Sequence, residues 1–538
     1  MTLQLDLLAL LPVLAPVVAA VLVLVLDVAL PGRRTPHLYL GGAGLLAGAA
    51  AAVPGLLLPP GDRRGALCLP DGWCAYAADD LVSALQLAAL LGALVVLVLA
   101  WPDWSAPGSD GGPEPTGRAP VVLALLLAAT AGVIAVPAAG DLGSLLVSLE
   151  LATLPTVVLV ALVRTTWAAP RRARAVDGAV ALLTTSLVSF GLLALGAAFW
   201  AAATGSTRFT GLPSAPHPEL LVLAAVLLVA GLAFKVSAVP FHAWTPITYA
   251  AAPLPVTAYL STVSKVAALG GLVVVVRALG AVEGTTLVAM ALLAAASMTV
   301  GNLVALVQQD AVRLLAWSTV AQAGWVLLPL ASLSARAASA AGSYLVVYLT
   351  ATLLAFVVVA AVAGLVRDSA SDGTQGASPA AGSTTLQLHR GLLRDRPLLA
   401  VPLGLALLTL AGLPPAIAGL VAKVVALRPV LGDETWWLAV VAAVNIALGI
   451  AVYLRWLIVL AAQGGRSARR PVRARASRGS APGDETGDEP KAQDSGDEPA
   501  AQQTGEAPGP DVPVRLWVLV GLLTAALVVG SIAPIGVI

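Results

Sequence analysis

The sequence predicts an all-α polytopic membrane protein of about fourteen transmembrane helices. Residues of the AVILMFWYC set make up 59% of the 538 residues and charged residues only 11%, against about 25% charged in a soluble domain. Runs of roughly 20 apolar residues recur from one end to the other, each long enough to cross about 30 Å of hydrocarbon. The charges gather in short stretches between these runs. A β-barrel is excluded, because it would be written as short alternating strands.

Taken in order, the spans fall near 4–27, 37–58, 81–101, 119–137, 141–163, 177–203 and 219–240. They continue near 256–278, 284–308, 313–333, 339–366, 397–426, 432–463 and 514–536. The first run carries Asp6 in place of a basic n-region and is too long for a signal-peptide core, so it is expected to be a retained helix. Between the second and third spans lies CLPDGWC, whose Cys68 and Cys74 would be either a small disulfide or two free thiols. The seventh and twelfth spans contain Pro240 and the pair Pro414-Pro415. They are therefore expected to be discontinuous near 235–245 and 412–423.

Arginine sets the orientation. One set of alternate loops holds Arg33, Arg34, Arg171, Arg172, Arg174 and the run from Arg466 to Arg478, with others, whereas the opposite set holds only Arg63, Arg64, Arg208, Arg277 and Arg428. The richer set belongs in the cytoplasm, which puts both termini outside. The stretch 464–513 is basic first and acidic after, with almost no large apolar residue, so a disordered cytoplasmic loop is expected. Residues 368–385 read the same way.

Ionisable residues inside the spans are few: Glu150, Lys235, Lys265, Lys423 and Arg455, with Asp6 and Asp27 near the ends of the first. A Lys or Asp at the centre of a helix costs roughly 2.5–3.5 kcal/mol to insert and is a functional candidate by default. Asp6, Asp27 and Arg455 are read as interfacial or structural. The other four are read as functional. The chain has four lysines against 26 arginines, and three of the four lie in apolar spans. Arginine stays protonated, whereas a lysine removed from water can lose its proton near neutral pH. Retaining lysine in these places points to groups that load and release protons, with Glu150 as the natural partner of Lys235. Thr257, Ser261, Thr262 and Ser264 lie near Lys265 in the chain, and His242, beyond Pro240, is a candidate relay. Two spans that each join a proline break to a lysine match the arrangement of inverted-repeat transporters.

These segments carry a family resemblance. FKVSAVPFHAWTP followed by APLPVTAYLSTVSKV resembles the antiporter-like membrane subunits of respiratory complex I, the proton-pumping NADH:quinone oxidoreductase. GDLGSLLVSLELATLP and GNLVALVQQDAVRLLAWSTVAQAGW resemble two further blocks, in the expected order. The resemblance covers roughly 120–460, and among the paralogous branches it is greatest to the N type. The late broken span carries Lys423 where the M branch has a glutamate, and the chain stops at Ile538 without the long lateral helix of the L branch.

The resemblance implies a division into helices 1–3 (1–118), a first inverted five-helix repeat (119–278) and a second (284–463). The charged loop (464–513) and a final helix (514–538) follow. It implies proton transfer by Glu150, Lys235, Lys265 and Lys423, with His242 on the family's histidine. It also implies partners in the M, A, J and K subunits, and NADH, FMN, iron–sulfur clusters and quinone held by partner subunits. A bacterial plasma membrane is the expected location. Some positions depart from the family: the loop after WTP, usually written with an acid, reads Ile247-Thr248-Tyr249, Gln322 replaces a histidine, and the segment from Pro415 to Lys423 is one residue longer.

No Rossmann glycine pattern, iron–sulfur cysteine cluster or flavin motif occurs in the chain, so redox chemistry is assigned elsewhere. The net charge of +1 and its confinement to loops give no basis for nucleic-acid binding. An Mrp-type cation/proton antiporter subunit shares the motifs and is the alternative. A scaffold whose buried charges only pin helices is the competitor from another class.

Overall fold

The computed structural model describes residues 5–30, 33–59, 61–105, 118–163, 169–210, 217–279, 284–371, 384–432, 435–463 and 512–532. The helices in the first part are α1 (Leu7–Ala29), α2 (Thr35–Ala52), α3 (Asp80–Ser105), α4 (Arg118–Ala135), α5 (Leu142–Ala161) and α6 (Ala169–Thr204). The centre holds α7 (Pro218–Val236), α8 (Trp244–Ala251), α9 (Leu254–Ser261), α10 (Val263–Leu279), α11 (Gly284–Ala305) and α12 (Ala311–Leu327). The last part holds α13 (Ala337–Ser371), α14 (Leu392–Asp395), α15 (Pro397–Ala411), α16 (Ile417–Leu427), α17 (Trp436–Ala461) and α18 (Val514–Ile532). Thirteen helical spans among the described residues are long and apolar enough to cross a membrane. The remaining expected span is the pair α15 and α16, of 15 and 11 residues, each too short to cross alone.

Both expected discontinuities are present, and they are built alike. α7 ends at Ser237, whose φ of +72° is left-handed. α15 ends at Gly412, with φ of +78°. In each case the residue's N–H and the next one turn back onto the last carbonyls of the helix, as in a Schellman stop. A cis proline follows three residues later, Pro240 in the first break and Pro415 in the second.

The structure also departs from the sequence expectations. The span near 256–278 is two helices: Thr262 leaves helical geometry and its N–H reaches only back to the Tyr259 carbonyl. No proline or glycine marks that point. α6 begins at Ala169 and takes in Arg171, Arg172 and Arg174, which hydropathy had assigned to a loop. Alanine and arginine are strong helix formers and Pro170 suits the first turn. The CLPDGWC loop forms a β-hairpin, β1 (Arg64–Cys68) against β2 (Cys74–Ala78), closed by a Cys68–Cys74 disulfide. Arg208 holds the hairpin through Asp71 (2.8 Å) and over the Trp73 ring. The Arg208 bond also holds the Asp71 carboxyl below the usual carboxylate range.

The three ionisable groups read as structural have such partners. Asp6 caps α1 by accepting from the Leu8 and Ala9 N–H groups. Asp27 lies 3.8 Å from buried His37. Arg455 donates to the Gln308 carbonyl. Residues 464–511 and most of 368–385, both expected to be solvated, lie outside the described residues.

Candidate functional site

Glu150 is placed by the start of α5. Asp141 caps that helix, accepting from Ser144 N–H at 2.6 Å while Ser144 Oγ accepts from Asp141 N–H at 3.3 Å. The box sets the register in which Glu150 and Thr153, three apart, share one face. Lys235, in the last turn of α7, meets that face. Its Nζ lies 3.4 Å from Glu150 Oε1 and donates to Thr153 Oγ1 at 2.8 Å. Side-chain exposure of the pair is 11% and 18%.

A cavity of about 40 Å³ adjoins Lys235. Hydroxyls of Thr153, Thr156, Thr185, Ser186 and Ser264 line it among apolar groups. It is large enough for water, which needs room for about one molecule and several polar partners.

Lys265 lies in the first turn of α10 and is 2% exposed. Its Nζ donates to Ser237 Oγ at 2.7 Å and to the Lys235 carbonyl at 3.2 Å, and stands 5.0 Å from the Trp244 ring centre. Thr245 also donates to Ser237, at 2.7 Å. Lys423, on α16 and 3% exposed, repeats this arrangement. Its Nζ donates to the Ala411 carbonyl at 2.7 Å and stands 5.1 Å from the Trp325 ring centre. Each amine therefore sits between the C-terminal end of a broken half-helix and an indole face. Helix C-termini offer unpaired carbonyls and a partial negative charge, and an indole face attracts cations.

Buried polar side chains fill the interval between the two amines. Tyr348 donates to the Ser261 carbonyl at 2.6 Å, one turn before Lys265, and lies 3.0 Å from Thr319 Oγ1 on α12. On the same helix Ser318 lies 2.6 Å from the Tyr453 hydroxyl. Gln322 donates to Tyr453 at 2.8 Å and to the Leu410 carbonyl at 3.4 Å, while Tyr344 donates to Gln322 Oε1. Leu410 adjoins Ala411, the acceptor of Lys423.

The structure thus brings Glu150 to Lys235, and Lys265 to the backbone of Lys235. It does not bring His242 to either lysine: the His242 ring packs 5.2 Å from that of Trp317, and its buried Nδ1 has no hydrogen-bond partner among the described residues. Nor do the hydroxyls near Lys265 in the chain bind its amine. Thr257 donates to the Tyr249 carbonyl, Ser261 and Thr262 to that of Ala258, and Ser264 to that of Leu260.

Sequence reasoning missed Thr153, Ser237, Trp244, Ser318, Thr319, Trp325, Tyr344, Tyr348 and Tyr453. The usable signals were spacings of three and four inside apolar spans: Thr153 after Glu150, Gln322 after Ser318, and Tyr348 after Tyr344. Among the described residues no group of three or more His, Cys, Asp or Glu is placed to hold a metal ion.

Residues 139–449 match the family described as NADH:quinone oxidoreductase/Mrp antiporter, TM. The chain is 42% identical over 473 residues to the NADH-quinone oxidoreductase subunit N of Salinispora tropica, with 85% of each chain covered. It matches a chain in the structure of respiratory complex I from Thermus thermophilus with bound Aureothin, at a TM-score of 0.71 and 28% identity, over 97% of each. A chain of the Mrp complex from Dietzia sp. matches at a TM-score of 0.71 and 20% identity, over 98% of this chain and 94% of that one. The last likeness concerns the fold alone.

Proposed function

The chain belongs to the NADH:quinone oxidoreductase/Mrp antiporter family, in its NADH-quinone oxidoreductase subunit N branch, and from that premise we propose that Glu150, Lys235, Lys265 and Lys423 carry protons across the membrane. The observation that carries this reading is the contact of Lys265 Nζ with Ser237 and with the Lys235 carbonyl. It sets two buried amines on one helix break, with a carboxylate facing, among the described residues, only the first. Glu150 holds the charge on Lys235 while the two are close. When their separation grows, the ammonium loses its counter-charge and releases a proton inward. The cavity beside Lys235 supplies the entry, and the polar side chains around Tyr348 and Gln322 link Lys265 to Lys423, the residue on the exit side. His242, on the same break with an open Nδ1, is the histidine that a side relay would use.

The chain is a membrane subunit of a translocase. In the proposal, partner subunits hold NADH, FMN, iron–sulfur clusters and quinone, and quinone reduction there drives the movement. The M, A, J and K subunits are the proposed membrane partners. Residues 119–278 and 284–463 act as two inverted repeats, preceded by helices within 1–118 and followed by the 464–513 loop and the 514–538 helix. The bacterial relatives support a bacterial plasma membrane, and the arginine bias supports both termini outside. The disulfide-closed hairpin suits that outer face.

A second reading, an Mrp-type antiporter subunit, has in its favour the family description, which names both kinds of protein. Identity to subunit N over most of the chain favours the first, and dehydrogenase genes beside this one would separate the two. The test is Lys235→Ala in the assembled complex in proteoliposomes. Proton pumping should be abolished, and an unchanged number of protons per electron would defeat the proposal.

A further inference from the structure

A helix break leaves backbone N–H groups without partners, and inside a membrane each must find one. At the start of α16 the capping position is Ala416, which has no side-chain acceptor. The Ala418 N–H instead donates to Ser531 Oγ of α18 at 3.1 Å. At the other break the Val239 N–H donates to Ser297 Oγ of α11 at 2.9 Å. Both serines spend their own hydroxyl proton one turn back in their own helices, Ser531 on the Leu527 carbonyl at 2.8 Å and Ser297 on that of Leu293 at 2.6 Å. That bond is common for serine in a helix. It leaves the oxygen lone pairs free to accept, and in both places one of them meets the break of another helix.

The two latched N–H groups lie near the lysines in the chain. Ala418 precedes Lys423 by five residues of one helix, about 7.5 Å of rise. Val239 follows Lys235 by four and Ser237 by two. Neither serine is among the acceptors of the lysine amines, so their action is on backbone position. α16 is also seated tightly: a Cβ on Gly419 would stand 1.9 Å from the Thr409 carbonyl oxygen. A half-helix gripped at that point and capped by Ser531 holds Lys423 against the Ala411 carbonyl.

We propose that Ser297 and Ser531 are positioning residues for proton transfer, each latching one helix break from a neighbouring helix so that Lys265, at the first break, and Lys423, at the second, meet the half-helix C-termini. This rests on the proton-path reading above and adds what holds the two breaks in register.

The experiment uses the assembled complex in proteoliposomes, with protons per electron read against quinone-reductase rate. Ser297→Ala and Ser531→Ala should each lower the ratio, and Ser297→Thr and Ser531→Thr, which keep the acceptor, should restore it. Loss of a capping acceptor shifts the local equilibrium roughly fivefold. Amide exchange at Ala418 in S531A and at Val239 in S297A should therefore quicken by about that factor. Should an alanine complex fail to assemble, the cysteine variant keeps the volume with a weak acceptor and must show the same fall. A normal ratio in the alanine or cysteine variants overturns the proposal. Lys235→Ala and Lys423→Ala run beside them: if those pump normally, the proton-path reading itself falls. If they are inactive while the serine variants pump normally, only the latches fall.

Discussion

The contact that most sharply divides a proton path from a scaffold is Glu150 with Lys235. At 3.4 Å and an effective dielectric near 20, a carboxylate and an ammonium attract by about 5 kcal/mol. Glu150→Gln removes that attraction while keeping shape and a hydrogen-bonding oxygen. Thr153 still accepts from Nζ at 2.8 Å, so the amine is not left without a partner. The ammonium is then less favoured by several kcal/mol, and the step that loads Lys235 fails. Glu150→Asp draws the carboxylate back by about 1.5 Å, which weakens the attraction by roughly a third and should give an intermediate phenotype. The assay is the number of protons pumped per electron by the assembled complex in sealed vesicles. The expected order is wild type, then Asp, then Gln near zero for the protons this subunit carries. Equal pumping by all three would refute the reasoning, because a charge pair that only pins helices has no reason to set stoichiometry.

Lys235→Arg keeps a positive charge but cannot release its proton, so pumping should be lost while the complex assembles; normal pumping in the same vesicle assay would favour a scaffold. Gln322→Leu leaves the buried Tyr344 and Tyr453 hydroxyls without their amide partner. That should cost about 1–3 kcal/mol of stability and slow proton transfer between Lys265 and Lys423, read as a lower pumping rate at unchanged reductase activity in partner subunits. His389 lies outside the spans, 1% exposed, its ring 5.4 Å from that of Trp456. Burial pushes its pKa down to about 4. Between there and the usual histidine range near 6.5 the unfolded chain binds a proton that the folded chain does not. The stability this group contributes is therefore complete above about pH 6.5 and lost as pH falls toward about 4, by about 3 kcal/mol. Thermal unfolding in detergent should show that slope, and His389→Leu should flatten it.

Spans, breaks and buried lysines were legible because each violates or satisfies a one-dimensional rule. Pro240 and Pro415 cannot continue a helix, and a lysine in hydrocarbon is conspicuous. The break at Thr262 was not legible, since tertiary packing there overrides a segment of acceptable helix formers. The tyrosine and glutamine line between Lys265 and Lys423 was hidden for a different reason. Tyrosine is half apolar and adds little to a hydropathy profile, and its partners come from α9, α12 and α17, far apart in the chain. Proximity in sequence also misled: Ser261 and Thr262 satisfy their own helix, while the hydroxyl that meets Lys265 is Ser237, 28 residues earlier.

That last exchange bears on why the three amines differ. Lys235 faces a full negative charge, whereas the acceptors of Lys265 and Lys423 are a hydroxyl and backbone carbonyls, beside an indole face. A carbonyl accepts an N–H from an ammonium and, more weakly, from a neutral amine, so these two sites can keep their hydrogen bonds whether or not a proton is present. A carboxylate does not behave so. It binds the charged form strongly and the neutral form weakly, and its grip falls with distance. On the proposed route, therefore, distance from a full charge sets the proton affinity of the first station, whereas the later ones need only be held in place, as the Ser297 and Ser531 latches would hold them. A pump driven from a neighbouring subunit needs that asymmetry: one contact that converts movement into proton affinity, followed by sites that pass the proton on without having to move. Arginine fails at all three, because it would hold its charge at each of them.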